Sequence, residues 1–199
     1  MHNFSYRIFG FNKDTYRTML TITKGDHHLP THGLTYRLDV DLRLQGEKTV
    51  YFLRGENGAG KSSFLKHFVV PGLRLQSTPF LYVGQDLAMQ VYPMRAVLGV
   101  LDLPRSGPSP QETVLSWLET GSAARVLILD EYDKYVAEVA PAVEKTGAFI
   151  ETLIMVSHTA PEDAEQTLRH TFSHGRELFL HKHRNTGTSH VQVTERVLW

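Results

Sequence analysis

The sequence contains no cysteine and no excess of either charge. Among 199 residues there are 21 Lys plus Arg and 21 Asp plus Glu. The lack of cysteine excludes disulfides and thiolate metal sites, and it fits a reducing compartment. The balanced charge gives no indication of a nucleic-acid or membrane surface, although totals do not describe local patches. Function must therefore be sought in motifs.

Long apolar runs are also absent. No stretch approaches the length of a transmembrane helix, and residues 1–7, MHNFSYR, have no apolar signal core. We therefore expect a soluble, cytoplasmic protein. The length suits one domain spanning residues 1–199, since no linker or repeat divides it.

One stretch, residues 55–63 (GENGAGKSS), fits the GxxxxGK[ST] pattern of a phosphate-binding loop without a mismatch. The apolar residues 50–53 before it predict a buried strand, and residues 63–70 after it predict a helix. A glycine-rich turn is the simpler alternative, but chance seldom supplies the glycine spacing, the Lys-Ser pair and the strand together. The glycines let the backbone approach an anion, and the helix adds its positive end. The loop therefore predicts a nucleoside-triphosphate site.

The polar groups of this loop have distinct expected roles. Lys61 is expected to reach the β- and γ-phosphates, and Ser62 to give its hydroxyl to Mg²⁺. The predicted nucleotide-binding residues of the loop are Gly55, Asn57, Gly58, Ala59, Gly60, Lys61, Ser62 and Ser63.

Short apolar runs predict the central sheet. Residues 50–53, 80–83, 126–129 and 153–156 are too continuously apolar for strands with a solvated side, so we expect a buried, mostly parallel sheet in an α/β fold.

Other strands are predicted nearer the two ends of the chain. Apolar and polar residues alternate from Tyr36 to Leu44, which predicts one strand with an exposed face. Residues 6–11 and 17–23 predict short antiparallel strands, and residues 177–194 predict a closing hairpin that turns near 185–187.

A second motif is RVLILDE, residues 125–131. An apolar strand that ends in Asp130 and Glu131 places two carboxylates at the edge of the sheet where open α/β sheets bind ligands. Asp130 is expected to hold Mg²⁺, through water, and Glu131 to orient or deprotonate the attacking water. Such a pair alone more often caps the next helix, but the phosphate loop upstream favours the functional interpretation.

Taken together, these motifs resemble those of the ATP-binding cassette (ABC) ATPases, over roughly residues 31–180. The resemblance rests on five features in the family's order, namely the phosphate loop, YVGQ ending at Gln85, Ser106-Gly107 ahead of a helix, Asp130-Glu131, and IMVSH ending at His158. It implies a P-loop NTPase with an N-terminal antiparallel β subdomain and a much reduced helical subdomain.

The resemblance also implies roles for residues outside the loop. Gln85 would sense Mg²⁺ and the attacking water, and His158 would hydrogen-bond the γ-phosphate, which suits an amide and an imidazole. The residue that stacks on adenine falls at His32, with Tyr36 and His28 as alternatives. Ser106 and Gly107 stand for the signature segment that closes over the nucleotide of a second subunit.

Three departures distinguish the chain from transporter cassettes. Few residues separate Gln85 from Ser106, so the subdomain that grips a membrane partner is largely missing. The signature segment is degenerate, with Pro108 in place of its second glycine. Residues 132–136, YDKYV, replace the segment that usually follows Glu131, which concerns the dimer contacts.

The function implied is a soluble ABC-type ATPase that hydrolyses Mg-ATP, acts as an ATP-dependent homodimer and drives an unidentified protein or nucleic-acid partner. One alternative is the nucleotide-binding subunit of a transporter with a membrane permease. Another is a switch module that hydrolyses ATP slowly.

Histidine is abundant, with pairs such as His170 and His174 four positions apart. No spacing fixes a third metal ligand, so we interpret these residues as surface histidines.

Overall fold

The computed structural model describes residues 18–29, 33–84, 87–100, 112–113, 116, 124–130, 150–157, 168–185 and 188–199. Its elements, in chain order, are strands β1 (Thr18–Ile22), β2 (Gly25–Leu29), β3 (Leu34–Leu38), β4 (Leu42–Gln45) and β5 (Thr49–Gly55), helix α1 (Lys61–Phe64), a π-helical segment (Leu65–Val69), helix α2 (Val70–Leu75), strand β6 (Phe80–Val83), helix α3 (Leu87–Val100), and strands β7 (Val126–Leu129), β8 (Thr152–Val156), β9 (His174–Asn185) and β10 (Thr188–Val197).

Eight of these strands form one sheet in the order β2-β3-β10-β9-β5-β8-β7-β6. The five strands from β9 to β6 are mutually parallel. Strand β10 runs antiparallel to β9, and β2 and β3 extend that side of the sheet. Strands β1 and β4 form a separate antiparallel pair. This arrangement is an α/β P-loop fold with a mostly parallel sheet, as the sequence predicted.

The four predicted strands are confirmed, and three of them are buried over the predicted residues, whereas β6, the last strand in the described sheet, is only partly buried at Phe80, Leu81 and Tyr82. The bounds of β6 and β7 are those expected, and β5 and β8 begin slightly earlier and, for β5, end later. Every residue of β7 and β8 is buried, which is why their sequences are continuously apolar. The C-terminal hairpin is also confirmed, and its strands β9 and β10 are longer than predicted.

The alternating stretch from Tyr36 to Leu44 is two strands, not the one predicted. Strand β3 ends at Leu38, and β4 begins at Leu42 and belongs to a different sheet. Val40, between them, is 68% exposed. The flanking carboxylates accept hydrogen bonds from other segments, Asp39 from the Gln192 amide and Asp41 from the backbone N–H of Lys24. Alternation continued through the break, so it could not reveal the change of sheet. The predicted strand at residues 6–11 lies outside the described residues.

The helix predicted after the phosphate loop continues without interruption from Lys61 to Leu75, but its middle is π-helical. Pro71 accounts for the wider turn. It has no N–H to donate to the carbonyl of His67, and its ring crowds that carbonyl. The helix therefore loosens one turn before the proline.

The sheet is packed on both faces, and the two faces form separate hydrophobic clusters. One cluster lies between the sheet, the helical segment 61–75 and the β1–β4 pair, and includes Tyr36, Tyr51, Phe64, Phe68 and Leu180. The other lies on the opposite face and includes Phe52, Leu127, Met155, Phe172 and, at its edge, Trp199. Among the described residues, no helix is long and apolar enough to cross a membrane.

Candidate functional site: the phosphate loop and its neighbours

The phosphate loop leaves the sheet at the end of β5 and turns directly into α1. Strand β5 is central, with β9 on one side and β8 on the other. Its last residue, Gly55, pairs with Leu180 of β9. Because the five core strands are parallel, their carboxyl ends meet at this edge of the sheet, where α/β sheets bind ligands. The loop is thus held between two rigid elements at the expected ligand edge.

Lys61 is folded back onto its own loop. Its Nζ donates to the carbonyl of Gly55 at 2.8 Å and to that of Glu56 at 3.1 Å. The residue is only 6% exposed. An ammonium held against the loop at the first residue of α1 gives this position a concentrated positive potential. The arrangement suits the binding of phosphate oxygens.

The loop serine and the carboxylate of the second motif are brought together. Ser62 Oγ donates to Asp130 Oδ1 at 2.9 Å. Asp130 follows β7, which is separated from β5 by the intervening strand β8, and the residue is 1% exposed. The two motifs, far apart in sequence, therefore meet across one strand, as their expected shared role requires.

Tyr82 supplies the second hydrogen bond to this carboxylate. Its hydroxyl donates to Asp130 Oδ2 at 2.6 Å. The backbone N–H of Asp130 also donates to the carbonyl of Val83, which ties the end of β7 to β6. Burial and the neighbouring carboxylate raise the pKa of Tyr82 well above its usual range. The phenol therefore stays protonated and remains a donor to Asp130.

The Ser62 and Asp130 oxygens fit a magnesium ion. Mg²⁺ prefers carboxylate and hydroxyl oxygens, and a nucleotide's phosphates complete its shell in sites of this kind. Both side-chain oxygens lie beside the loop that would hold those phosphates. Among the described residues, no group of three or more His, Cys, Asp or Glu side chains could hold a metal by itself.

Tyr36 braces the other side of the loop. Its hydroxyl donates to the carbonyl of Gly60 at 2.8 Å and accepts a hydrogen bond from Ser63. Its ring is fully buried against Phe64 and Phe68. Burial raises the pKa of Tyr36 to about 12. A side chain enclosed in this way cannot stack on a base, so the alternative that Tyr36 binds adenine is wrong.

His28, the other residue considered for stacking on adenine, lies on the opposite face of the sheet from Tyr36. It pairs with Thr35, the neighbour of Tyr36 on β3, and its Nδ1 lies 2.8 Å from Thr35 Oγ1. Successive side chains of a strand point to opposite faces, so His28 lies on the other side of the sheet from Tyr36 and the loop helix. The structure does not bring His28 to the phosphate loop.

Lys182 adds a second cation at the loop. It lies on β9 two residues beyond Leu180, and its Nζ donates to the carbonyl of Gly58 at 2.9 Å. Sequence reasoning missed Lys182, because nothing local connects a lysine of the C-terminal hairpin with a loop more than a hundred residues earlier. Tyr82 was seen only as part of a strand. In both cases the signal depends on which strands are neighbours.

Six predicted site residues lie outside the described residues. They are His32, Gln85, Ser106, Gly107, Glu131 and His158. Their roles remain predictions from the sequence. Of the helix predicted behind Ser106, the described residues Glu112, Thr113 and Ser116 are helical.

Comparison with known proteins gives a fold likeness only. No protein-family model matches the chain, and no curated protein matches it. Solved structures do match, and one is a KaiC-like protein from the hyperthermophilic archaeon Pyrococcus horikoshii. The two are 16% identical, with a TM-score of 0.42, over 78% of this chain and 80% of that one. A likeness of this size says nothing about activity.

Proposed function

We propose that this protein binds Mg-ATP and hydrolyses it to ADP and phosphate. The observation that carries the proposal is the junction of the phosphate loop with Asp130, where Ser62 and the buried carboxylate meet at 2.9 Å. A glycine-rich turn without a ligand needs no buried lysine and no acidic residue beside its serine. Both are present here.

The described residues would bind and orient the triphosphate. Lys61 would exchange its bonds to the loop carbonyls for bonds to phosphate oxygens, which are stronger because both partners are charged. The loop amides and the start of α1 would hold the remaining oxygens. Mg²⁺, held at Ser62 and Asp130, would supply positive charge that offsets the charge developing on the transferred phosphoryl group.

Glu131, Gln85 and His158 are proposed to act on the water and the γ-phosphate. Glu131 follows Asp130 directly in the sequence. It would orient or deprotonate the water. His158, two residues after the end of β8 at Val156, would contact the γ-phosphate. The roles of Gln85 and His158 come from the resemblance to ABC ATPases, and that of Glu131 comes from the sequence motif in which it follows Asp130.

Substitution of the loop lysine tests the nucleotide site. We expect Lys61→Ala to weaken Mg-ATP binding at least a hundredfold, since it removes a charge-assisted contact worth roughly 3 kcal/mol. Isothermal titration calorimetry measures the change. Lys48→Ala is the matched control, because Lys48 donates to the Ile150 carbonyl at the far end of β5. Equal affinities in the wild type and the Lys61 variant would remove the proposed function.

We also propose that two copies of the chain share each ATP. The basis is the sequence alone, in which Ser106 and Gly107 precede a helix as in the ABC signature segment. Glu131→Gln would block hydrolysis and keep the γ-phosphate, so a dimer should appear in light scattering with Mg-ATP. Ser106→Arg added to that variant should abolish the dimer without weakening ATP binding. A Glu131→Gln protein that stays monomeric at saturating Mg-ATP would contradict the shared site.

A further inference from the structure

We propose that Tyr82 is a positioning residue for the magnesium carboxylate, Asp130, and thereby sets the affinity of the site for the divalent cation. This inference rests on the proposed function, since it concerns the same nucleotide site. It adds a residue on β6 that belongs to neither the phosphate loop nor the Asp130-Glu131 motif.

The contact geometry is that of a fixed carboxylate. Asp130 is buried, and its two oxygens accept from two different elements, Oδ1 from Ser62 and Oδ2 from Tyr82. Such a pair of donors on opposite oxygens determines the rotation of the carboxyl group about its χ2 bond, which is otherwise soft. The hydrogen bond from the Tyr82 hydroxyl to Oδ2 therefore helps to keep Oδ1 directed towards Ser62.

The position of Tyr82 follows from the register of the sheet. Tyr82 pairs with Ile128, two residues before Asp130, so both side chains point to the face on which the loop helix lies. The ring of Tyr82 packs against the cluster that contains Ile128. Because packing holds the ring, its hydroxyl stays at a fixed position. Removal of a side chain that hydrogen-bonds a metal ligand commonly lowers metal affinity 10–100-fold.

Tyr82→Phe tests this role because it keeps the ring and removes only the hydroxyl. We expect the half-saturating concentration of Mg²⁺ for ATP binding to rise about tenfold, with ATP affinity in EDTA within about twofold of wild type. Direct binding of Mn²⁺ to the ATP complex, followed by electron paramagnetic resonance, should weaken by the same factor. Neither readout requires turnover.

Tyr36→Phe is the matched control, since it removes the other tyrosine hydroxyl that contacts the site. That hydroxyl donates to the Gly60 carbonyl and not to Asp130. Its loss should change ATP affinity by the same factor with and without Mg²⁺. An equal change in both conditions for Tyr82→Phe would show a merely structural role and overturn the proposal, and so would an unchanged Mg²⁺ dependence.

A double-mutant cycle with Asp130→Asn is a second test, because it asks whether Tyr82 acts through Asp130. In Asp130→Asn the carboxylate is already absent, so adding Tyr82→Phe should leave the Mg²⁺ dependence unaltered. A further tenfold loss there would overturn the proposal, because Tyr82 would then act independently of Asp130. A wild-type protein that binds no Mg-ATP would instead reject the proposed function, which separates the two failures.

Discussion

Gly60 occupies a backbone conformation that few other residues adopt. Its φ is +89°, and a Cβ built there would collide with the hydroxyl of Tyr36. We expect Gly60→Ala to lower the free energy of unfolding by about 2–4 kcal/mol, since left-handed strain alone costs about 1 kcal/mol and the contact with a buried ring adds to it. It should also weaken ATP binding, because the loop carbonyl braced by Tyr36 would move.

Gly58 provides the comparison for that prediction. Its φ is +74°, but a Cβ there would meet nothing within 4 Å. Gly58→Ala should therefore show the backbone strain without the collision. Urea unfolding of both variants separates the two terms. If Gly58→Ala were as destabilising as Gly60→Ala, the contact with Tyr36 would not be the reason for the glycine.

Glu177 joins three neighbouring strands. From β9 its carboxylate binds Arg54 of β5 at 2.8 Å and Arg196 of β10 at 3.0 Å. Its side chain is 8% exposed and that of Arg54 is 24% exposed. We expect Glu177→Ala to cost about 2–4 kcal/mol in unfolding free energy, because it leaves Arg54 partly buried without this partner. Urea denaturation measures the loss.

The exposed pair of Asp26 and Arg37 is the control for Glu177. It joins β2 and β3 at 2.8 Å, but both side chains are well exposed to solvent. Asp26→Ala should give no resolvable change in stability, since water screens such pairs. A loss as large as that of Glu177→Ala would mean that burial does not govern these ion pairs.

The elements also show where sequence reasoning succeeded and where it failed. Continuous apolar runs located β6 and β7 to the residue, and in β7 every side chain is buried, which leaves a strong local signal. The loop motif was equally local. The partners of Tyr36 and Tyr82 could not be predicted, since each depends on which strand lies beside which. The break at Val40 was missed because its flanks keep the alternation of a single strand.

Two buried tyrosines predict that the free energy of unfolding falls at alkaline pH. Burial raises the pKa values of Tyr36 and Tyr51 to about 12. In the unfolded chain both ionise near pH 10, so their contribution is complete below pH 10 and is lost as the pH rises towards 12. The loss should be on the order of 2 kcal/mol for each group.

Urea unfolding at pH 8, 10 and 11.5 would follow this decline. Tyr51→Phe should flatten the pH profile, since phenylalanine has no proton to lose. The substitution removes a hydroxyl that lies near the end of β4, where it accepts a hydrogen bond from the backbone N–H of Gln45 at 2.6 Å. It does not remove a group of the phosphate loop. A profile as steep as that of the wild type would show that Tyr51 does not contribute.

The order of strands in the sheet has a consequence for how the chain acquires its native state. Strand β5, which carries the phosphate loop, pairs with β8 and β9, and its Arg54 meets Glu177 across 123 positions of sequence. Contacts between such distant segments close large loops and slow folding. During synthesis the loop would leave the ribosome long before either neighbour of its strand. We therefore expect the proposed nucleotide site to be among the last parts of the protein to form, since a nascent chain that ends before β9 lacks one of the two strands that flank β5.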